Sequence, residues 1–454
     1  MRRAFGSRTL PALLVAGAVV TVAATAPAPA AGASSVEAQT IRLEAADDTT
    51  FQIGSRRYHG PIELTAYAAG IAVVEVVDLD TYLAGIREVP FSWPMEALAT
   101  QAVAARTYLA WTLARGRVGD QQRYQYDICA TSLCQVYGGA GVEDSVDGDR
   151  WLEAVDRTRG EILVADGAPA QALYSSSAGK RTRANQDIWD GEPKAYLQPV
   201  DSPEAGVTPF ESWTVEFATE AFGRIIRRGG YDAGGSIRDV ELEDRPEGTG
   251  PSRVLVTSEQ GIVSIPVDRF RAVLNVHAPK LYPGSYPAAR SSAGRWPQTV
   301  LSYSYDVEFF PGADEVDIAV ADFLPSGDLP ATGRVVVTGE GWGHAVGMSQ
   351  WGSKAMADLG FDHREILSHY YSGLVPISGG DLVPDRVRVG LAVEQAGVTI
   401  TTDGPFEVVI DGVPAGTLPE GEWLFPLTNR GIEAVPRFDL APGVIGVLGR
   451  LRPR

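Results

Sequence analysis

The chain has 454 residues, room for two to four domains at roughly 100–200 residues each. Hydrophobic content of 44% and charged content of 21% are those of a soluble globular protein. A formal charge of −18 argues against nucleic acid as a partner, and against finding an anionic surface by long-range attraction.

Residues 1–33 read as a secretory signal peptide. Arg2, Arg3 and Arg8 make a basic start, residues 10–26 an apolar run, and Ala31 to Ala33 a small-residue cleavage region. Pro11 and the Pro-broken, Ala-rich end argue against an uncleaved anchor helix, and no other stretch has the length of a membrane span. Cleavage removes three cations and no acid, which moves the charge from −18 to −21. Export permits a disulfide between the two cysteines, Cys129 and Cys134. A metal pair is the rival reading. It is the weaker one, because structural zinc usually takes four ligands and no His stands nearby in the sequence.

Residues 34–90 alternate apolar and polar positions between Gly turns, which predicts a β region. Trp93-Pro94-Met95-Glu96 then opens the clearest helix, with Pro in the first turn, and Ala-rich sequence carries it to about Ala114, before Gly116. Gln101 and Tyr108, seven apart, share a face. Residues 124–200 alternate turns and short strands, and residues 211–285 read as two helical stretches around a hairpin-like segment. Residues 286–334, punctuated by Pro, Gly and Ser, read as an irregular, variable segment. A strand from Arg334 leads into a Gly-rich run, followed by helices near 349–359 and 363–371. Beyond a linker at Asp381 to Pro384, residues 385–454 read as a separate small β module. The predicted class is α+β: a mixed, β-rich core with a long helix after Glu88, plus the C-terminal module.

Several enzyme signatures are missing: no phosphate-binding Gly-Lys loop, no His-Glu-x-x-His helix, and no second Gly for a nucleophile elbow at Ser349. Ser177-Ala178-Gly179-Lys180 matches a Ser-x-x-Lys string but lacks its companion motifs. Three segments stand out instead. Glu88, between apolar residues and Pro90, is placed for a desolvated carboxyl with raised pKa, unless it pairs with Arg87 or Arg106. Glu96, in the first helical turn, is explained by the helix dipole. The run from Tyr174 to Thr182 offers hydroxyls and cations suited to sugar or carboxylate contacts, or simply a polar turn. The run from Gly339 to Gly352 interleaves glycines with Trp342, His344 and Trp351. The glycines suit close approach to a ligand and the indoles suit stacking on sugars; a tightly packed turn is the plainer alternative.

Asp80 to Glu88, Glu96 to Tyr108, Cys134 to Gly139, Thr158-Arg159-Gly160, Tyr174 to Thr182 and Gly341 to Trp351, in that order, resemble the SpoIID/LytB family. The resemblance spans roughly residues 58–376 and assigns 34–380 to one SpoIID/LytB-like domain. It implies an exported cell-wall protein that cleaves the β-1,4 bond between N-acetylmuramic acid and N-acetylglucosamine in peptidoglycan glycan strands. Glu88 would be the catalytic acid, closing a 1,6-anhydro ring with a single carboxyl where hydrolases use two. Gln101, Arg106, Gln135, Tyr137, Tyr174, Ser175, Ser177, Lys180, Trp342, His344 and Gln350 are implied to line the groove, Arg106 by holding Glu88 or a substrate group. No cofactor or metal is called for. The family also contains non-catalytic wall-binding enhancers of a cell-wall amidase, which is the alternative reading. Departures from the family pattern are Val89 after Glu88, Ala178 before Gly179, and Ala345 after His344, the last two at positions where glycine is common.

Overall fold

Two β-sheets share one core, and both are sewn from the two ends of the sequence. In the computed structural model, which describes residues 39–45, 49–312 and 333–438, a seven-stranded sheet runs Val413–Leu418, Phe406–Ile410, Thr40–Ala45, Ile62–Tyr67, Gly70–Asp78, Arg386–Gln395, Ile128–Cys129. A second sheet orders Gly431–Ile432, Gly421–Thr428, Gly397–Thr402, Phe51–Ile53, Arg56–Tyr58. Alternation explains the facing: Ile41 and Leu43 are fully buried while Arg42 pairs outward with Glu63. Trp423, Phe425, Phe406 and Phe51 join them in the same core.

This corrects the expectation of a separate C-terminal module. The Arg386–Gln395 strand lies against Gly70–Asp78, with Val387 opposite Val77 and Val389 opposite Glu75. Phe406–Ile410 pairs with Thr40–Ala45, and Gly397–Thr402 pairs with Phe51–Ile53. Short strands cannot hide an apolar face alone, so each end of the chain completes the other. Residues 439–454, and the proposed signal peptide, lie outside the described residues.

The predicted long helix spans Met95–Arg115, with Pro94 at its N-cap, one residue earlier than expected. It is buried along most of its length because Ala at so many positions lets neighbours close in. The Gly148–Arg157, Gln350–Asp358 and His363–Tyr370 helices all pack on it. No helix among the described residues is long and apolar enough to cross a membrane.

A further layer carries its own core. Its sheet orders Gly294–Arg295, Arg290–Ser291, Trp213–Ala218, Arg334–Glu340, Ser304–Phe310. A meander of Ile237–Glu243, Arg253–Ser258 and Gly261–Pro266 and the Thr219–Arg228 and Val267–Leu281 helices complete it. The two helices around a hairpin-like segment are therefore present. The 286–334 segment is not irregular throughout: Ser304–Phe310 pairs with Arg334–Glu340, with Tyr305 and Val307 inward and Asp306 and Glu308 outward. That alternation was readable, as was the strand from Arg334, but their pairing was not; residues 313–332 of that segment lie outside the described residues. Cys129 and Cys134 form a disulfide across a Cα separation of 5.5 Å.

The interleaving has a direct consequence. Deleting residues 385–454 is expected to abolish cooperative thermal unfolding, measured by calorimetry, because it strips partners from both sheets. A deletion variant that melts like the full chain would mean that the segment is an independent module.

Candidate functional site

Glu88 leaves the Leu79–Ala84 helix on a stretch that runs antiparallel to 135–138. The Gly138 amide donates to the Gly85 carbonyl at 2.7 Å and the Arg87 amide to the Val136 carbonyl at 2.9 Å. The next donor in this ladder, the Val136 amide, goes to the Glu88 side chain at 2.6 Å from Oε1. The Tyr174 hydroxyl donates to the same oxygen at 3.3 Å, and Gln350 adds a side-chain bond. Burial drives the carboxyl above the ordinary glutamate range, and these three bonds oppose the rise without cancelling it. Arg87 points to solvent.

A relay stands behind the carboxyl. Tyr82 Oη donates to Gln135 Oε1 at 2.7 Å, and Gln135 Nε2 donates to Tyr174 Oη at 2.9 Å and to the Ala105 carbonyl at 3.2 Å. Burial lifts both phenols well above their usual range, so they remain donors. Gln350 Nε2 donates to Gln101 Oε1 at 3.2 Å.

A cleft of about 710 Å³ opens over Glu88, bounded among others by Tyr108, Leu133, Tyr174, Trp189, Tyr303, Trp342 and His344. Glu88 is the only Asp or Glu among the described residues lining it. A groove of about 800 Å³ elsewhere is bounded by Met356, Leu359, Phe361 and Val375. Its Asp362 and Glu365 are spent on the capping box of the His363–Tyr370 helix, and its Asp201 is exposed and paired with Arg181, so it offers no comparable carboxyl.

The structure divides the residues named from sequence. Glu88, Tyr174, Ser175, Trp342, His344 and Gln350 line the cleft, with Gln135 and Gln101 directly behind. Four others are elsewhere. Arg106 does not reach Glu88: it is fully buried, and its guanidinium donates to the carbonyls of Glu161 and Val155, both at 3.2 Å, and to Thr158. Burial lowers its pKa to about 10. It staples the long helix to the Gly148–Arg157 helix and to the chain beyond it. Tyr137 stacks on Tyr82 at 5.2 Å in the core. Lys180 is exposed and pairs with Glu340 at 3.6 Å.

Ser177 is fully buried, beside a carboxyl that sequence reading missed. Glu204 accepts from the Ser177 hydroxyl, from Ser202 Oγ at 2.8 Å, from Ser349 Oγ at 2.6 Å and from the Ala178 amide at 3.0 Å. Burial raises its pKa against these bonds. The cluster ties the Tyr174–Ser175 strand to Met348–Ser349, its parallel partner.

The glycines serve that same approach. A Cβ on Gly341 would lie 2.6 Å from the Ser177 carbonyl oxygen, and one on Gly347 would strike the Leu173 carbonyl; both have positive φ. They admit a neighbouring strand rather than a ligand. His344 is held there as a neutral strut. Its Nδ1 accepts from the Val346 amide at 3.0 Å and its ring bonds the Tyr174 backbone; burial and then Arg271 lower its pKa to about 4. It also props Trp189, ring centroids 5.3 Å apart. Trp189, Arg271, Gln298 and Tyr303 come from parts of the chain with no motif to mark them.

Ala345 adopts φ +57°, where a side chain is strained. Ala345→Gly is therefore expected to stabilise the protein by about 1 kcal/mol in denaturant unfolding, after allowing for glycine's extra freedom when unfolded. A loss of stability would mean that packing of the buried methyl outweighs the backbone strain.

Residues 67–164 match the family model described as Stage II sporulation protein, SpoIID. Glu88, Gln101, Arg106, Gln135 and Tyr137 fall inside that match. An uncharacterized protein of Brachyspira hyodysenteriae is 26% identical over 71% of this chain and 73% of its own length. The stage II sporulation protein D of Bacillus amyloliquefaciens is 25% identical over 71% of this chain and 80% of its own length. The amidase enhancer of Bacillus subtilis is 24% identical over 63% of this chain, which spans 38% of that longer protein. With the motifs in order and the matched segment carrying Glu88, Tyr82 and Gln135, these similarities support assigning the chain to the SpoIID/LytB family.

Proposed function

We propose that the protein is an exported lytic transglycosylase acting on peptidoglycan glycan strands of the cell wall, with Glu88 as its acid and base. One observation carries the reading: among the described residues a single carboxyl, desolvated and unpaired with any cation, is fixed in a cleft with aromatic walls. Hydrolysis of a glycosidic bond ordinarily uses two carboxyls, one of them to activate water or attack the sugar. A lytic cleavage uses the sugar's own 6-hydroxyl and needs one. Protonated Glu88 gives its proton to the glycosidic oxygen as the bond to the muramyl C1 breaks. The resulting carboxylate takes the proton of O6–H while O6 closes on C1, and the acid is restored. No water is consumed.

The surroundings support each step. Burial raises the Glu88 pKa, the direction that an acid working nearer neutrality requires. The Val136 amide and the Tyr174 hydroxyl hold one oxygen and stabilise the carboxylate formed midway. Trp189, 43% exposed, and Trp342 offer faces for sugar rings. Export rests on the signal-like residues 1–33.

A second reading is favoured by the relative named amidase enhancer: the cleft binds glycan and the protein stimulates an amidase without cutting. The two separate at Glu88. On the catalytic reading, mass spectrometry finds 1,6-anhydromuramyl ends released from purified strands, and Glu88→Gln lowers turnover at least ~100-fold. Stimulation of an amidase that is equal in wild type and Glu88→Gln, with no anhydro product from either, would establish the enhancer role instead. Stability supplies an independent check. Because the folded pKa of Glu88 is raised, its contribution to stability is full below the unfolded carboxyl pKa and is lost as pH rises through the folded one. Glu88→Gln should therefore melt above wild type near neutral pH and alongside it in acid.

A further inference from the structure

The cleft contains one cation for which the cleavage chemistry has no task. Arg271, on the Val267–Leu281 helix, is the only Lys or Arg among the described residues lining it. Its Nε donates to the Val300 carbonyl at 3.2 Å, and its Nη2 donates to the Leu301 carbonyl at 2.9 Å and to Gln298 Oε1 at 3.4 Å. Its Cζ lies 5.0 Å from the centroid of the Tyr303 ring. The guanidinium is thus anchored through two of its nitrogens and by an aromatic face. Its third nitrogen, Nη1, has no hydrogen-bond partner and the group has no acid partner among the described residues.

The same Gln298 Oε1 accepts from Trp342 Nε1 at 2.9 Å. Charge, amide and indole therefore form one continuous wall, contributed by a layer of the fold different from the one that carries Glu88. Fixing a guanidinium in a binding cleft without an anion costs desolvation and ordering that a bound anion offsets, and a planar fork suits a carboxylate. In a chain with 57 acids and 39 bases, an unpaired, immobilised Arg is not for want of available partners.

We propose that Arg271 is a specificity-determining residue that pairs with a carboxylate carried by the bound glycan, while Trp342 packs on the ring that bears it. The inference rests on the reading of the cleft as a glycan site. The carboxylate belongs either to the ether-linked acid of the muramyl sugar itself or to a peptide attached there, and the same chemistry serves both.

Binding separates the possibilities, measured by calorimetry in a Glu88→Gln background so that no ligand is cut. Four ligands are compared at equal length: peptide-free muramyl oligosaccharides with free carboxyls, the same with carboxyls converted to methylamides, peptide-bearing strands with free peptide carboxyls, and those strands with the peptide carboxyls amidated. The expectation is that one carboxylate form binds about tenfold or more tightly than its amide. Adding Arg271→Gln should abolish that ratio while leaving amide-ligand affinity and the melting transition in place, and Arg271→Lys should keep part of it. A ratio in the peptide-free pair assigns the carboxylate to the sugar, and a ratio only in the peptide-bearing pair assigns it to the peptide. Equal binding of acid and amide in both pairs, or a ratio that survives Arg271→Gln, overturns the inference. If no ligand binds at all, the glycan reading falls first and takes this inference with it.

Discussion

The Val136 amide donates to the Glu88 carboxyl, and the arrangement of the cleft follows from where that bond holds it. A buried carboxyl without a partner is costly; one held by a cation is ionised and useless as an acid near neutrality. This site takes a middle course. One backbone amide and two neutral side chains satisfy the group, none carries charge, and burial still raises its pKa against them. The displacement of Arg106 from the site is part of the same solution. A guanidinium against Glu88 would depress its pKa, and the fold instead spends that side chain on backbone carbonyls inside the helical layer.

A second constraint fixes the opposite side of the cleft. Tyr174 and Gln350 reach Glu88 from two segments far apart in sequence, which run in parallel register, Tyr174 opposite Met348 and Ser175 opposite Ser349. Gly341 and Gly347 let the backbones touch, and Glu204 gathers hydroxyls from both segments and from Ser202. Burial raises the pKa of both Glu204 and Glu88, yet Glu204 is sealed among hydroxyls and Glu88, half-buried, opens on the cleft. Glu75, pushed to about 7 by burial in the central strand, is likewise enclosed and takes its bond from the Gly60 amide. A perturbed carboxyl marks a site only where a ligand can reach it.

Local order was legible in the sequence and long-range partnership was not. The Ala-rich helix, the two helices around the 237–266 strands and the conspicuous Glu88 could all be read, because period and composition act over a few residues. The C-terminal strands read as a module because nothing local says that Val387 will lie opposite Val77. Ser177 and Lys180 stand three apart in one polar run, yet one is sealed against Glu204 and the other faces solvent. The glycines were seen, but their purpose, admitting a second backbone, depends on a strand more than a hundred residues away. Trp189, Arg271 and Tyr303 carried no signal, since each enters the cleft only through tertiary packing.

The central claim is that burial keeps the Glu88 carboxyl protonated where a free glutamate would have ionised. It is tested most directly by carbon-13 NMR titration of side-chain carboxyls, with the Glu88 resonance assigned by its absence in Glu88→Gln. A midpoint clearly above that of the exposed glutamates of the same chain is the predicted result. A midpoint at or below theirs would contradict the account.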